Sequence, residues 1–377
     1  MPILMDVDSD GSVMAELIQS PLVGVHTALG AKFAAFGGWS MPVEYAGVLA
    51  EHKAVREQVG VFDVSHLGTF LVEGEGAAAY LNTRLTNDID RISDGKAQYT
   101  LLLNDHAGAV DDMILYLFSA NKVMVIPNAA NAQKVMSQLS SGSPSHLRFT
   151  DRHHDDAIIA VQGPASEDVL ARMGLPSQME YMSFLVAELE SGISMTLCRT
   201  GYTGEHGYEI VVPAHHAPVL WAEVMAAGAD LGIQPCGLGA RDTLRTEMGY
   251  ALHGHELSET ISPVEARLGW AVGWKKDHFD GDEVLRAQRE NGAERASWGI
   301  KACGRAIPRP EMVVVDALGA PIGQVTSGTF SPSLKQGIGL ALLPPSLTPG
   351  DHVFVEVRGR HEEFEVVKPP FYTSNVA

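Results

Sequence analysis

The sequence predicts an α+β protein that closes with a small all-β domain. Two observations carry this. Through the first three quarters of the chain, runs with helical spacing of apolar residues interleave with β-rich runs. Near residues 275–310 the composition then shifts, from the charged segment DEVLRAQREN to CGRAIPRPEM, rich in turn formers. The 377 residues are 45% apolar and 19% charged, enough for two or three domains at one per ~150 residues. That balance excludes a mostly disordered chain, a coiled coil or a collagen-like repeat.

Taken in order, residues 1–19 read as a flexible acidic leader. Asp6, Asp8, Asp10 and Gly11 resemble the start of a calcium loop, but Leu17 stands where the closing glutamate belongs. Residues 48–59 carry apolar positions at helical spacing and stop at Gly60. Residues 61–74 (VFDVSHLGTFLVEG) alternate and predict a strand. Residues 113–118 and 122–127 are β-rich runs around a short polar turn, a hairpin. Residues 156–164 (DAIIAVQGP) predict a buried strand stopped by Gly-Pro. Residues 216–230 fit an amphipathic helix with Val219, Leu220, Trp221, Val224 and Met225 inward. After the helix at 282–291, short strands and Gly/Pro turns predict an all-β unit of about 70–90 residues. Solenoid or propeller repeats are not apparent.

Lys and Arg number 27 against 46 Asp and Glu, a formal net charge of −19. That charge disfavours nucleic acid and anionic membrane as partners. Cys198, Cys236 and Cys303 are far apart and predict free thiols in a reducing compartment. The N-terminal segment lacks the basic stretch of a secretory signal or an Arg-rich presequence, and no apolar run reaches 18 residues. The expected location is the cytoplasm.

GxxxxGK[ST], HExxH and GxSxG are absent, and GLGARD (237–242) lacks the third glycine and βαβ context of a dinucleotide loop. No metal site is expected: His153–His154 and His215–His216 read as surface turns. Three constellations remain. In NDHAGAVDDMILYL (104–117), Asp111 and Asp112 begin an apolar strand. Neighbours in a strand face opposite ways, so at most one of the two meets a given pocket; the other reading is a salt-bridged or solvated strand end. RTGYTGEHGYEI (199–210) combines glycines with Tyr202, Tyr208, Glu205 and Glu209, either a tight hairpin turn or a flat-ring site with a carboxylate acceptor. In 235–259, Arg241, Asp242 and Arg245 begin a helix after a glycine turn, either as a local ion pair or with Arg241 reaching a ligand.

Together these segments resemble one family. SPLVGVHTALGAKFAAFGGWSMPVEY, AVREQVGVFDVSH, GKAQYTLLLND, GAVDDMI, IAVQGP, RTGYTGEHGYE, GLGARDTLR, ISPVEARLGW, TSGTFSPSL and KPPF stand in the order found in the aminomethyltransferase, or T-protein, of the glycine cleavage system, from about residue 20 to the end. The resemblance implies a three-domain cloverleaf around a central folate channel, with a C-terminal all-β barrel-like domain. It divides the chain into the leader (1–19), a discontinuous central domain (20–66 plus 150–274), a second α+β domain carrying Asp112 (67–149), and a linker helix with the β domain (275–377).

It implies transfer of the methylene of an aminomethyl group, carried on the lipoyl arm of the H-protein, to tetrahydrofolate. The products are ammonia and 5,10-methylenetetrahydrofolate. Asp112 takes the catalytic place beside N10. Tyr99 and Tyr202 pack on the folate rings, Glu209 accepts the pterin amide and amino donors, Arg241 lies near the folate and the carboxylates, and Trp270 lines the channel. Ile126 and Asn128 join the folate-binding set, where Pro127 departs from the family pattern; His253 stands where many relatives have tyrosine. Lys275, Lys276 and Arg358 are candidates for meeting the acidic carrier. The rivals are a folate-dependent demethylase, disfavoured by the retained DDMI, and a non-enzymatic folate-binding factor, disfavoured by Tyr202 where a cysteine belongs.

Overall fold

A computed structural model describes residues 17–374. The acidic calcium-like stretch and most of the leader lie outside them. Ile18–Gln19, expected in the leader, instead pair in parallel with Trp39–Ser40 at the edge of a three-stranded sheet completed by Lys32–Phe36.

The central sheet has six strands in the order Phe184–Glu188, Ser194–Cys198, Gly207–Pro213, Asp156–Gln162, Gly60–Asp63, Gln234–Pro235. Strand periodicity divides Asp156–Gln162 between two cores. Ala157, Ile159 and Val161 face a core closed by the helices Ser166–Arg172 and Ala217–Ala227. Ile158 and Ala160 face the opposite way. A five-stranded sheet runs Lys96–Leu103, Ala109–Ser119, Lys122–Pro127, Phe70–Glu73, Arg148–Asp151. Its Met113, Leu115 and Leu117 form that sheet's own core, whereas Ile114, Tyr116 and Phe118 join Ile158 and Ala160 in a core shared by both sheets.

The hairpin Ala109–Ser119/Lys122–Pro127 forms where the two β-rich runs predict it. The strand expected over 61–74 is two strands in different sheets, Gly60–Asp63 and Phe70–Glu73. Alternation continues through the crossing because Val64, Ser65 and His66 are buried between the sheets. The domain boundary drawn after 149 cuts the strand Arg148–Asp151, which pairs wholly with Phe70–Glu73. The helix expected over 48–59 is Val48–Glu57 and stops at Gln58, ahead of Gly60. In Ala217–Ala227, Leu220, Trp221 and Val224 face inward as expected, but Val219 is exposed.

At the C-terminal end, six antiparallel strands close a barrel: Ala296–Ala302, Gln336–Leu343, Pro321–Ser331, Val313–Val315, His352–Val357 and Arg360–Val367. Closure leaves no free edge. Its interior carries Ile300, Val314, Val325, Val353, Val355, Phe364 and Val366. The three cysteines are unpaired, two of them buried. Among the described residues no helix is long and apolar enough to cross a membrane.

Candidate active site

A cavity of about 720 Å³ opens where the central sheet, the five-stranded sheet and the barrel meet. Asp112, Tyr99, Ile126, Asn128, Tyr202, Glu209, Arg241 and Trp270 all line it. The reason is largely strand periodicity. Asp112 shares a strand face with Ile114 and Tyr116, which point to the shared core, while fully buried Asp111 points to the other side. A one-residue bulge at Val110, between the Leu103–Ala109 and Leu102–Asp111 pairs, sets that phase. In Gly207–Pro213, Tyr208 and Ile210 turn to the helix-covered core and Glu209 turns to the cavity.

The carboxylates are nonetheless linked. The Asn128 amide follows directly on the strand Lys122–Pro127. Its Nδ2 donates to Asp111 Oδ1 at 2.9 Å and to Asp112 Oδ1 at 3.0 Å. Its backbone N–H donates to Asp111 Oδ2 at 2.9 Å. Asn131 Nδ2 adds a bond to Asp111 Oδ1 at 2.8 Å. The Tyr99 hydroxyl donates to Asp112 Oδ2 at 2.9 Å. Burial and the neighbouring Asp112 charge push Asp111 up to about 8, and burial raises Asp112 as well. Two carboxyls sharing one amide are thus both held above the usual carboxylate range, a property of the pair. Burial and Asp112 push the Tyr99 phenol well above its usual range, so it remains a donor.

Rings line the space between. Tyr99 stacks on Trp270 at 5.3 Å and 27°, and Tyr202 on Tyr250 at 5.7 Å and 29°. The Tyr202 hydroxyl is anchored on the Ala251 carbonyl. Arg241 projects from the helix Leu238–Met248, its guanidinium 4.8 Å from the Tyr202 ring centre; burial pushes it down while Glu209 opposes that. Glu209 accepts Thr200 Oγ1 at 2.6 Å. The segment 199–206 is an eight-residue loop between the strands Ser194–Cys198 and Gly207–Pro213, wider than the tight turn its glycines predict. Asp242 and Arg245 form the i, i+3 pair at 2.7 Å, leaving Arg241 to the cavity.

Sequence reasoning missed several wall residues. Tyr250, Arg267 and Lys368 also line the cavity. Arg267 adopts φ 58° and lies 3.7 Å from the Trp298 ring centre on the barrel. Lys368 belongs to KPPF and Tyr250 sits just before LHGH, segments whose order was readable though their placement was not. His153 is not a surface turn: it is buried, with Nε2 2.9 Å from the His66 carbonyl oxygen, while His215 is exposed in its turn. Lys276 is withdrawn from any docking role, since its ammonium donates to Leu85 O at 2.6 Å and Asn87 O at 3.0 Å, and burial pushes it down to about 8. Among the described residues, the group of His, Cys and acidic side chains spaced to hold a metal is Cys303, His352 and Glu363, exposed on the barrel and not part of the cavity wall.

Residues 22–276 match the family described as the GCVT N-terminal domain, and residues 295–373 match the glycine cleavage T-protein C-terminal barrel domain. An aminomethyltransferase of Frankia alni is 56% identical over 363 residues, 96% of this chain and 99% of its own. Another, from Mycobacterium tuberculosis, is 51% identical over 362 residues, 96% of this chain and 98% of its own. The crystal structure of the glycine cleavage system aminomethyltransferase T from Bartonella henselae matches with a TM-score of 0.90 at 34% identity, covering 96% of this chain and 99% of that one.

Proposed function

Since the chain belongs to the glycine cleavage T-protein family and is an aminomethyltransferase, we propose that its cavity holds tetrahydrofolate and admits the aminomethyl-lipoyl arm of the H-protein. The observation that carries the reading is the convergence of a hydrogen-bonded carboxyl pair, stacked aromatic faces and a carboxylate–guanidinium end on one cavity of about 720 Å³. That volume lies within the roughly 300–1,000 Å³ usual for sites holding ligands of this size.

The residues fit the ligand. Tyr99, Tyr202 and Trp270 offer faces for its rings. Thr200 occupies one oxygen of Glu209, and a carboxylate retains further acceptor capacity for pterin N–H donors. Arg241 balances that charge, and Ile126 and Asn128 close the wall beside Asp112. When bound, tetrahydrofolate supplies the amine nitrogens that accept the one-carbon unit. Asp112 is the member of the carboxyl pair on the cavity wall, so protons exchanged with bound reactants pass through its oxygens. Tyr99 and Asn128 hold those oxygens in place. The aromatic walls exclude water and keep the two reactants in register, which supplies much of the acceleration.

The relatives' shared activity favours this over the demethylase and non-enzymatic alternatives. The unpaired thiols suit the reducing cytoplasm. We take the central sheet with its helices, the five-stranded sheet, and the linker helix with the barrel as the three domains. The test is a coupled assay with tetrahydrofolate and aminomethyl-loaded H-protein. Stoichiometric ammonia and methylenetetrahydrofolate, lost in Asp112→Asn, is expected; folate binding without release would overturn the transfer reaction.

A further inference from the structure

A chain of hydrogen bonds leads from the cavity to His253, which is not part of the cavity wall. Asn128 touches both carboxyls, as described above. Asn131 Nδ2 bonds Asp111 Oδ1 at 2.8 Å and lies 3.0 Å from His253 Nδ1. His253 Nε2 lies 3.1 Å from the Ala109 carbonyl oxygen, two residues before Asp111 on the same strand. The directions in this chain follow from its carboxyl end. Asn131 turns its NH₂ toward Asp111 Oδ1, the oxygen that also accepts from Asn128 Nδ2. The same NH₂ then faces His253 Nδ1, which must accept. Nε2 therefore carries the ring proton and donates to Ala109 O, and one neutral tautomer satisfies every group.

The loop that carries His253 is itself fixed. Gly254, at φ 87°, makes the turn and donates to Leu257 O at 2.7 Å. Leu252 N donates to Glu256 Oε2 at 3.1 Å, and that carboxylate is paired with Arg245 at 3.2 Å. The ring thus braces the start of the Asp111–Asp112 strand from a rigid support. We propose that His253 is a positioning residue for the Asp112 carboxylate, acting through Asn131 and Asp111. The assignment rests on the transferase reading of the cavity.

Glutamine can reproduce both ring bonds, accepting at Oε1 and donating at Nε2; phenylalanine reproduces neither. For His253→Phe the expected result is a kcat lower by about tenfold or more, from a displaced carboxylate, with KM for tetrahydrofolate within about twofold. His253→Gln is expected to restore most of the loss. Equal losses in the two variants, or an unchanged kcat in His253→Phe, would overturn the proposal. A second readout is independent of activity: ¹⁵N-edited NMR of the His253 ring at neutral pH, without substrate, is expected to show a protonated Nε2 and a bare Nδ1. The opposite tautomer would overturn the hydrogen-bond chain. If the wild-type chain releases no ammonia while the ring shows the expected tautomer, the transferase reading has failed and the bonding network has not.

Discussion

Asp111 and Asp112 are adjacent in sequence and chemically identical, yet the strand gives them different work. Three N–H groups converge on Asp111, from Asn128 and Asn131. Asp111→Asn turns an acceptor into a partial donor against them, leaving buried donors unmet at a cost of about 1–3 kcal/mol. The expected outcome is a lower denaturant midpoint with part of the turnover kept. Asp112 faces the cavity, so Asp112→Asn is expected to lower the midpoint less than Asp111→Asn does and to lose most turnover. Urea melts and ammonia release on both variants separate the roles; indistinguishable profiles would contradict the opposite-face geometry. Glu209 acts at the other end of the cavity. Its removal in Glu209→Ala takes away charge-assisted bonds worth about 1.5–3 kcal/mol, so the tetrahydrofolate dissociation constant is expected to rise tenfold or more by fluorescence titration.

At the scale of elements, the strand that presents the carboxyl pair depends on a close approach just before it. A Cβ on Gly108 would lie 1.9 Å from the Glu259 carbonyl oxygen, and Ala109 N donates to Ile261 O at 3.1 Å along the same seam. Backbone cannot yield as a flexible side chain can. Gly108→Ala is therefore expected to shift the strand start, costing about 1–3 kcal/mol of stability and part of the turnover together. A melting temperature equal to wild type would show that the seam is loose. The elements readable in advance are those whose signal is local: the hairpin around residues 120–121, the helix Val48–Glu57 and the opposite faces of Asp111 and Asp112 follow from periodicity, while the choice of Asp112 came from the resemblance. What was hidden depends on distant partners. Alternation could not reveal that 61–74 changes sheets, because the crossing residues are as buried as the strands. Nothing within LHGH announces that His253 reaches a strand 144 positions earlier. Tyr250 likewise acquires its place only against Tyr202, and Arg267 only against Trp298 of the barrel.

Across the whole molecule, that closure converges on one buried carboxylate. Glu247, on the central helix Leu238–Met248, accepts from Arg56 at 2.8 Å and from the barrel's Ser331 Oγ at 2.5 Å, Ser333 N at 3.1 Å and Ser333 Oγ at 2.9 Å. His52 Nε2 lies 3.3 Å away. The tail beyond the barrel returns to the same point: Phe371 N donates to Glu247 O at 2.8 Å, and Tyr372 lies under Arg56 at 4.4 Å. Burial opposes ionisation, but His52, Ser331 and Arg56 together hold the Glu247 carboxyl down at about 2, against a usual 4.5. A carboxyl depressed on folding stabilises the folded state fully above its unfolded value and loses that contribution as pH falls from about 4.5 to 2, here about 3 kcal/mol. Buried His66 titrates in the other sense for its charge but the same sense for stability. Burial pushes it down to about 3, so below pH 6.5 protons favour the unfolded chain. Wild type and a Glu247→Gln variant share the His66 contribution, and their comparison isolates Glu247. The variant is expected to be about 3 kcal/mol less stable at pH 7, with the gap unchanged to about pH 5 and narrowed to about 1 kcal/mol at pH 2.5. Urea unfolding followed separately by tryptophan fluorescence and far-UV circular dichroism at each pH measures it, and a gap that stays constant down to pH 2.5 would show that the barrel is held to the central domain by packing and not by this charge.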